Sequence, residues 1–163
     1  MDLKDRLQRR LTDARQMSEQ LLADFKTPEQ WTFQVGPSCN HALWFAGHMT
    51  HTDNFFISIV APERAKELAG FREKFGMGSA PTSQSADYPP PEQVLAAMRE
   101  RRAELLDVLD HLSENQLAAK TPPGSPDFLP DLASVFETAI WHEGLHAGQL
   151  SLIRRSLGHK PLF

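Results

Sequence analysis

Apolar residues recur every three to four positions through most of this chain, which is the period of an α-helix and not of a strand. Leu3, Leu7, Leu11, Ala14, Leu21 and Phe25 mark a first amphipathic helix near 2–26, stopped before Thr27-Pro28. Trp44, Phe45, His48, Phe55 and Phe56 belong to a second near 39–60, with a turn at Gly36-Pro37 and Ser38 as its N-cap. Val94, Leu95, Met98, Leu105, Val108, Leu109 and Leu112 define a third near 91–112, entered after three prolines. Phe136, Ile140, Leu150 and Ile153 point inward from a fourth near 131–157. Ser113 with Gln116 forms a capping box that opens a short helix to about Ala119. No stretch alternates apolar and polar with period two, so the fold class is all-α.

The links between these segments constrain topology. A short link joins the first helix to the second, which suits antiparallel neighbours. From about Ala61 to Pro90 the chain makes a long crossover, with one small extra helix expected between Pro62 and Phe75. A crossover that long can return the chain along the bundle, giving an up-down-down-up four-helix bundle with the second and fourth helices adjacent. All 163 residues read as one domain, with no internal repeat.

Composition excludes several classes. A net charge of −4 gives no reason to expect nucleic acid or an anionic membrane as partner. No apolar run approaches the roughly 20 residues that span a bilayer. The opening MDLKDRLQRR lacks the apolar core of a signal peptide, and Cys39 is the single cysteine, so no disulfide forms within the chain. The expected setting is cytoplasmic.

Chemistry concentrates in Trp141-His142-Glu143-Gly144-Leu145-His146. Residues four apart on a helix share a face, so His142 and His146 can grip one metal ion. The same run satisfies the H-E-x-x-H pattern of zinc peptidases, whose third ligand lies downstream. Here no acidic residue follows Glu143, and the extended form would need Gly and His where Gln149 and Leu152 stand. A peptidase is therefore not expected, and a third ligand must come from upstream. His41, His48 and His51 lie on the second helix; His48 sits within its aromatic stripe, His41 is on nearly the same face, and His51 is rotated from His48 by about 60°. His48 is the favoured candidate.

These residues resemble a known family. Asn40, Trp44, Gly47 and His48 in NHALWFAGHMTHTDNFF, with His142, Glu143, His146, Gly148 and Gln149 in WHEGLHAGQLSLIRRSLG, look like the two signatures of DinB-like (YfiT-type) metal-binding bundle proteins. The resemblance implies an up-down-down-up bundle in which His48, His142 and His146 hold a divalent ion, zinc or nickel. It also implies homodimers, and transferases or isomerases that use bacillithiol, mycothiol or glutathione. Where the family has a basic residue after the last histidine, this chain has Ala147.

Three neutral imidazoles leave an ion's charge unneutralised and a coordination position open, as in catalytic sites. That position lowers the pKa of bound water towards about 7, or activates a thiol. The expectation is a metal-dependent enzyme acting on a small molecule, either a thiol-dependent S-transferase or a hydrolase. The alternative is a non-catalytic metal-binding or small-ligand-binding dimeric bundle. Glu143 is the candidate for proton transfer, against an orienting or solvated role. Gln149 reads as a hydrogen-bonding residue beside the site, Asn40 and Asp53 as partners of histidines or, for Asn40, a cap. Cys39 reads as semi-buried, Arg154, Arg155 and Lys160 as complements of the last helix dipole, and His111 and His159 as surface residues. The aromatic surplus on the second helix is the expected dimer surface.

Overall fold

The computed structural model describes residues 2–162, and among these residues the fold is all-α. Its elements are α1 (Leu3–Leu22), α2 (Pro28–Trp31), α3 (Ala42–Val60), α4 (Phe71–Phe75), α5 (Pro91–Asp110), α6 (Glu114–Leu117) and α7 (Leu132–Ser156), with 3₁₀ turns at Pro62–Arg64 and Ser85–Asp87. Pairing of the β type is confined, in the described chain, to an isolated bridge between Lys120 and Asp131.

The four long helices fall where the apolar period places them, and their ends differ for local reasons. Helix α1 stops at Leu22, short of position 26, because the Gln30 side chain accepts from the amides of Lys26 and Thr27 and builds a capping box for α2. Phe25 is still buried beneath that turn. Helix α3 starts at Ala42 and not near 39. Ser38 has φ 60°, a left-handed conformation that does not cap a helix, and the cap is the His41 ring, whose Nδ1 accepts from the Trp44 amide at 3.0 Å. The expected capping box at Ser113 and Gln116 is present, and Asp131 forms another with Ser134 at the start of α7. The single crossover helix expected over Pro62–Phe75 is divided into the first 3₁₀ turn and α4, which opens at Gly70 with φ 75°.

Helix α3 packs on α5 and α7, and α1 packs on α7 and α5. Two apolar clusters fill the space between them. One gathers Leu21, Leu22, Leu43, Phe45, Met98 and Leu150, the other Leu7, Leu11, Ile57, Leu105 and Phe136. Each long helix buries charge between its members of the two clusters: Arg15 on α1, Asp53 on α3, Arg102 with its neighbour Arg101 on α5, and Glu143 on α7.

Surface expectations change in three places. The aromatic side chains of α3 are mostly internal: Trp44, Phe45 and Phe56 are buried and Phe55 is 39% exposed. The larger exposed apolar face lies on α7, at Trp141, Leu145 and Leu152. Cys39 is exposed, not semi-buried. Arg154 is buried, its Nε donating to Asp24 at 2.9 Å, so it ties α7 to the end of α1 besides complementing a dipole. No described helix is long and apolar enough to cross a membrane.

Candidate metal centre

Helices α3 and α7 bring the three candidate ligands together. One ring nitrogen from each of His48, His142 and His146 lies within 4.8 Å of the others, and the Nε2 atoms of His48 and His142 are 3.1 Å apart. Two nitrogens bound to one ion at about 2.0–2.1 Å stand roughly 3.3 Å apart in a tetrahedral set, so this spacing fits a shared cation. Among the described residues, no Cys, Asp or Glu joins this group.

The outer nitrogens decide which way the lone pairs point. His48 Nδ1 donates to the Phe75 carbonyl at 2.7 Å, which leaves Nε2 unprotonated and facing the other rings. His146 Nδ1 donates to Gln149 Oε1 at 3.0 Å, and the same oxygen accepts from Asn40 Nδ2 at 3.2 Å. Gln149 thus fills its expected hydrogen-bonding place, and Asn40 partners it rather than capping α3. Trp44 stacks on His48 with centroids 4.3 Å apart and planes 16° from parallel, while its Nε1 donates to Ser79 Oγ at 2.8 Å.

Burial keeps these imidazoles neutral. It pushes His48 down to about 3 against the opposing pull of the Phe75 carbonyl, with His146 and His142 adding to the fall. Burial and the His146 charge push His142 down to about 4, and burial lowers His146. A neutral imidazole is the form that ligates a cation. Of the other histidines on this stretch, His41 is consumed by capping, and His51, lowered by burial and by Arg72, stands outside the cluster.

Glu143 points elsewhere. Only 1% exposed, it accepts from Arg15 Nε at 2.8 Å and stands 2.7 Å from Arg102 Nη1, an ion pair whose angle is poor for a hydrogen bond. Asp53 accepts from Arg102 through both oxygens, at 2.9 and 3.0 Å, and from Arg15 at 3.0 Å. Burial raises the Asp53 carboxyl, but Arg102 and Arg15 outweigh it and hold the group below its ordinary range. Burial likewise opposes the charge on Arg102, and Asp53 and Glu143 more than restore it. Glu143, the candidate for proton transfer, is therefore not a solvated carboxylate: two guanidinium groups and the surrounding core enclose it. Asp53 is tied to the same arginines and not to a histidine.

Two surface depressions, of about 640 and 370 Å³, are lined by residues such as Thr32, Gln34 and Gln84, and Trp31, Tyr88 and Pro90; neither includes the histidines. The histidines lie at the surface seam of α3 and α7, with His142 and His146 half-buried. No curated protein matches the chain. The sequence model of the DinB superfamily matches residues 10–150, which include all three histidines, and the chain belongs to that superfamily.

Proposed function

We propose that this protein is a divalent-metal-dependent enzyme whose ion, zinc or nickel, is held by His48, His142 and His146 in a cytoplasmic up-down-down-up bundle. The observation that carries the reading is the convergence of three neutral imidazoles whose outer nitrogens, at His48 and His146, are already engaged. Bundle direction is supported by the clusters: Leu43 and Met98 share one while Ile57 and Leu105 share the other, so α3 and α5 run the same way. Leu11 and Leu21 on α1 sort with Phe136 and Leu150 on α7 in the same sense, opposite to α3.

An ion held by His48, His142 and His146 would supply Lewis acidity. The protein's part is to keep the imidazoles neutral and aimed, through Phe75, Gln149 and Trp44. Glu143 is enclosed by arginines and, among the described residues, no other carboxylate joins the group to act as a base for water. That favours a low-molecular-weight thiol as the second reactant, hence a thiol-dependent S-transferase ahead of a hydrolase. The non-catalytic metal-binding bundle is the second reading, favoured by the separation of both depressions from the histidines.

Metal analysis of untagged protein, followed by cobalt(II) substitution and titration with bacillithiol, mycothiol and glutathione, tests the assignment. The expected result is one ion per chain and a cobalt spectrum that shifts with thiol. Turnover of electrophiles with thiol, but not of amides and esters without it, selects the transferase. Equal activity without metal overturns the mechanism, and no activity in either screen selects the binding module.

The homodimer belongs to the same proposal, on α7 rather than α3. Trp141, Leu145 and Leu152 are 63%, 50% and 57% exposed, beside exposed Glu137, Gly144, Gly148 and Arg155. Positions 137, 141, 144, 148, 151 and 155 form a seam symmetric about 146. Two antiparallel copies would set Glu137 against Arg155, Gly144 against Gly148 and Trp141 against Ser151, twice over, as an isologous interface requires. Sedimentation tests it: Glu137→Arg and Arg155→Glu should each be monomeric, and their mixture should dimerise. A monomeric parent protein, or dimers in both variants, would exclude this face.

A further inference from the structure

The crossover reaches back to His48 at two points. Phe75, the last residue of α4, is fully buried, and its ring lies directly on Gly47. A Cβ at position 47 would sit 2.2 Å from Phe75 Cγ and 2.4 Å from both Cδ atoms, so no other residue admits the ring where it stands. The ring also packs on Phe71 and Tyr88, with centroids 5.2 and 5.7 Å away. Because α4 ends here, the Phe75 carbonyl has no intrahelical partner and is free to accept from His48 Nδ1. The turn that follows is close: Gly76 N donates to the Arg72 carbonyl, and a side chain at 76 would meet that oxygen at 2.4 Å. Ser79 then accepts from the indole of Trp44, the ring stacked on His48.

We propose that Gly47 is a positioning residue of the three-histidine site: it seats Phe75, so that the crossover's carbonyl fixes His48 with Nε2 free for a cation. Without that acceptor, nothing else near His48 selects the Nδ1-protonated tautomer, and Nε2 carries the proton for part of the time. Docking of the crossover and occupancy of the site are therefore linked, and each strengthens the other by the same factor.

The affinity arm of the test rests on the reading of these histidines as a metal site; the tautomer arm does not. In Gly47→Ala, nitrogen NMR should show His48 losing its Nδ1-protonated signature, with helical content retained by circular dichroism. Cobalt(II) affinity should fall about 10- to 100-fold, the range for loss of a ligand's orienting partner. Phe75→Ala should weaken cobalt similarly, and the double variant should be no weaker than the weaker single one, since both act through one contact. Ser79→Ala, which leaves the core untouched, should cost a few-fold at most. In the parent protein cobalt should slow tryptic cleavage at Lys66, Arg72 and Lys74, all exposed on the crossover, and in Gly47→Ala it should not. An unchanged His48 tautomer together with unchanged cobalt affinity in Gly47→Ala would overturn the proposal. A parent protein that binds no cobalt removes the metal reading, and the tautomer still decides the role of Gly47.

Discussion

Helices α3 and α7 each carry two kinds of polar residue within a turn or so of one another, and the two kinds solve burial in opposite ways. His48, His142 and His146 give up their charge, leaving lone pairs that converge on a common point. Asp53 and Glu143, which follow His48 and His142 in sequence, are instead met by Arg15 and Arg102, which reach them from α1 and α5. Two positive and two negative groups close on themselves; the histidines do not. A closed cluster fastens helices, and an open one invites a ligand.

The comparison breaks first at the closed cluster. Removing Arg102 leaves Asp53 and Glu143 buried with half their partners, and breaking a buried pair of this kind costs about 3–5 kcal/mol. Urea unfolding of Arg102→Ala should show that loss, while His146→Ala, in a half-buried and neutral site, should stay within about 1 kcal/mol of the parent protein. The cobalt readout should reverse the order, with binding lost in His146→Ala. A His146→Ala protein as unstable as Arg102→Ala would mean that the histidines are also structural.

The second break uses pH. For His41, His48 and His142 the folded values of about 4, 3 and 4 lie below the ordinary 6.5. Between those limits the unfolded chain binds protons that the folded one does not, so stability is complete above 6.5 and falls as pH drops. Each group contributes a slope of up to about 1.4 kcal/mol per pH unit. Asp53, held below 3.8, begins to withdraw stability only beneath that value. Metal-free protein should lose stability from pH 6.5 to 4 through its imidazoles and below 3.8 through its carboxylates. Substituting His48 and His142 together should reduce the slope of the upper window to what His41 leaves, with the lower window unchanged.

What was readable in the sequence follows the same division. His142 and His146 were legible because their spacing is local, and His48 because one helix face fixes its direction. The long helices were legible from a repeating apolar period. Helix ends were less so: His41 in place of Ser38 as cap is a contest between side chains that period does not settle. The role of Glu143 depends on Arg15 and Arg102, which are 128 and 41 residues away in sequence, and no local pattern links them. The signal that was present is a charge on an apolar stripe: Arg15 follows Leu7 and Leu11 at helical spacing, and Arg102 lies between Met98 and Leu105. Phe75 was hidden in an irregular crossover, and its trace in the sequence is a glycine at 47 in the interior of a helix, where close approach is the usual reason.

The smallest effect is the most direct test of which cluster owns Glu143. If the carboxylate carried protons for catalysis, Glu143→Gln would lower the metal-dependent rate about 10²- to 10⁴-fold at unchanged stability. Enclosed as it is, the carboxylate has no open path to a substrate, and the substitution replaces one charged acceptor with a neutral one beside two guanidinium groups. A hydrogen bond to a charged group is worth about 1.5–3 kcal/mol, so the loss should appear in urea unfolding. The rate per bound ion should change by less than about threefold, because Gln retains an oxygen for Arg15 and keeps α7 in register for His142 and His146. Rates normalised to cobalt content separate the two outcomes. A large rate loss in a protein of parent stability would assign Glu143 to the open cluster, and the contrast between the two clusters would fail at its shared helix.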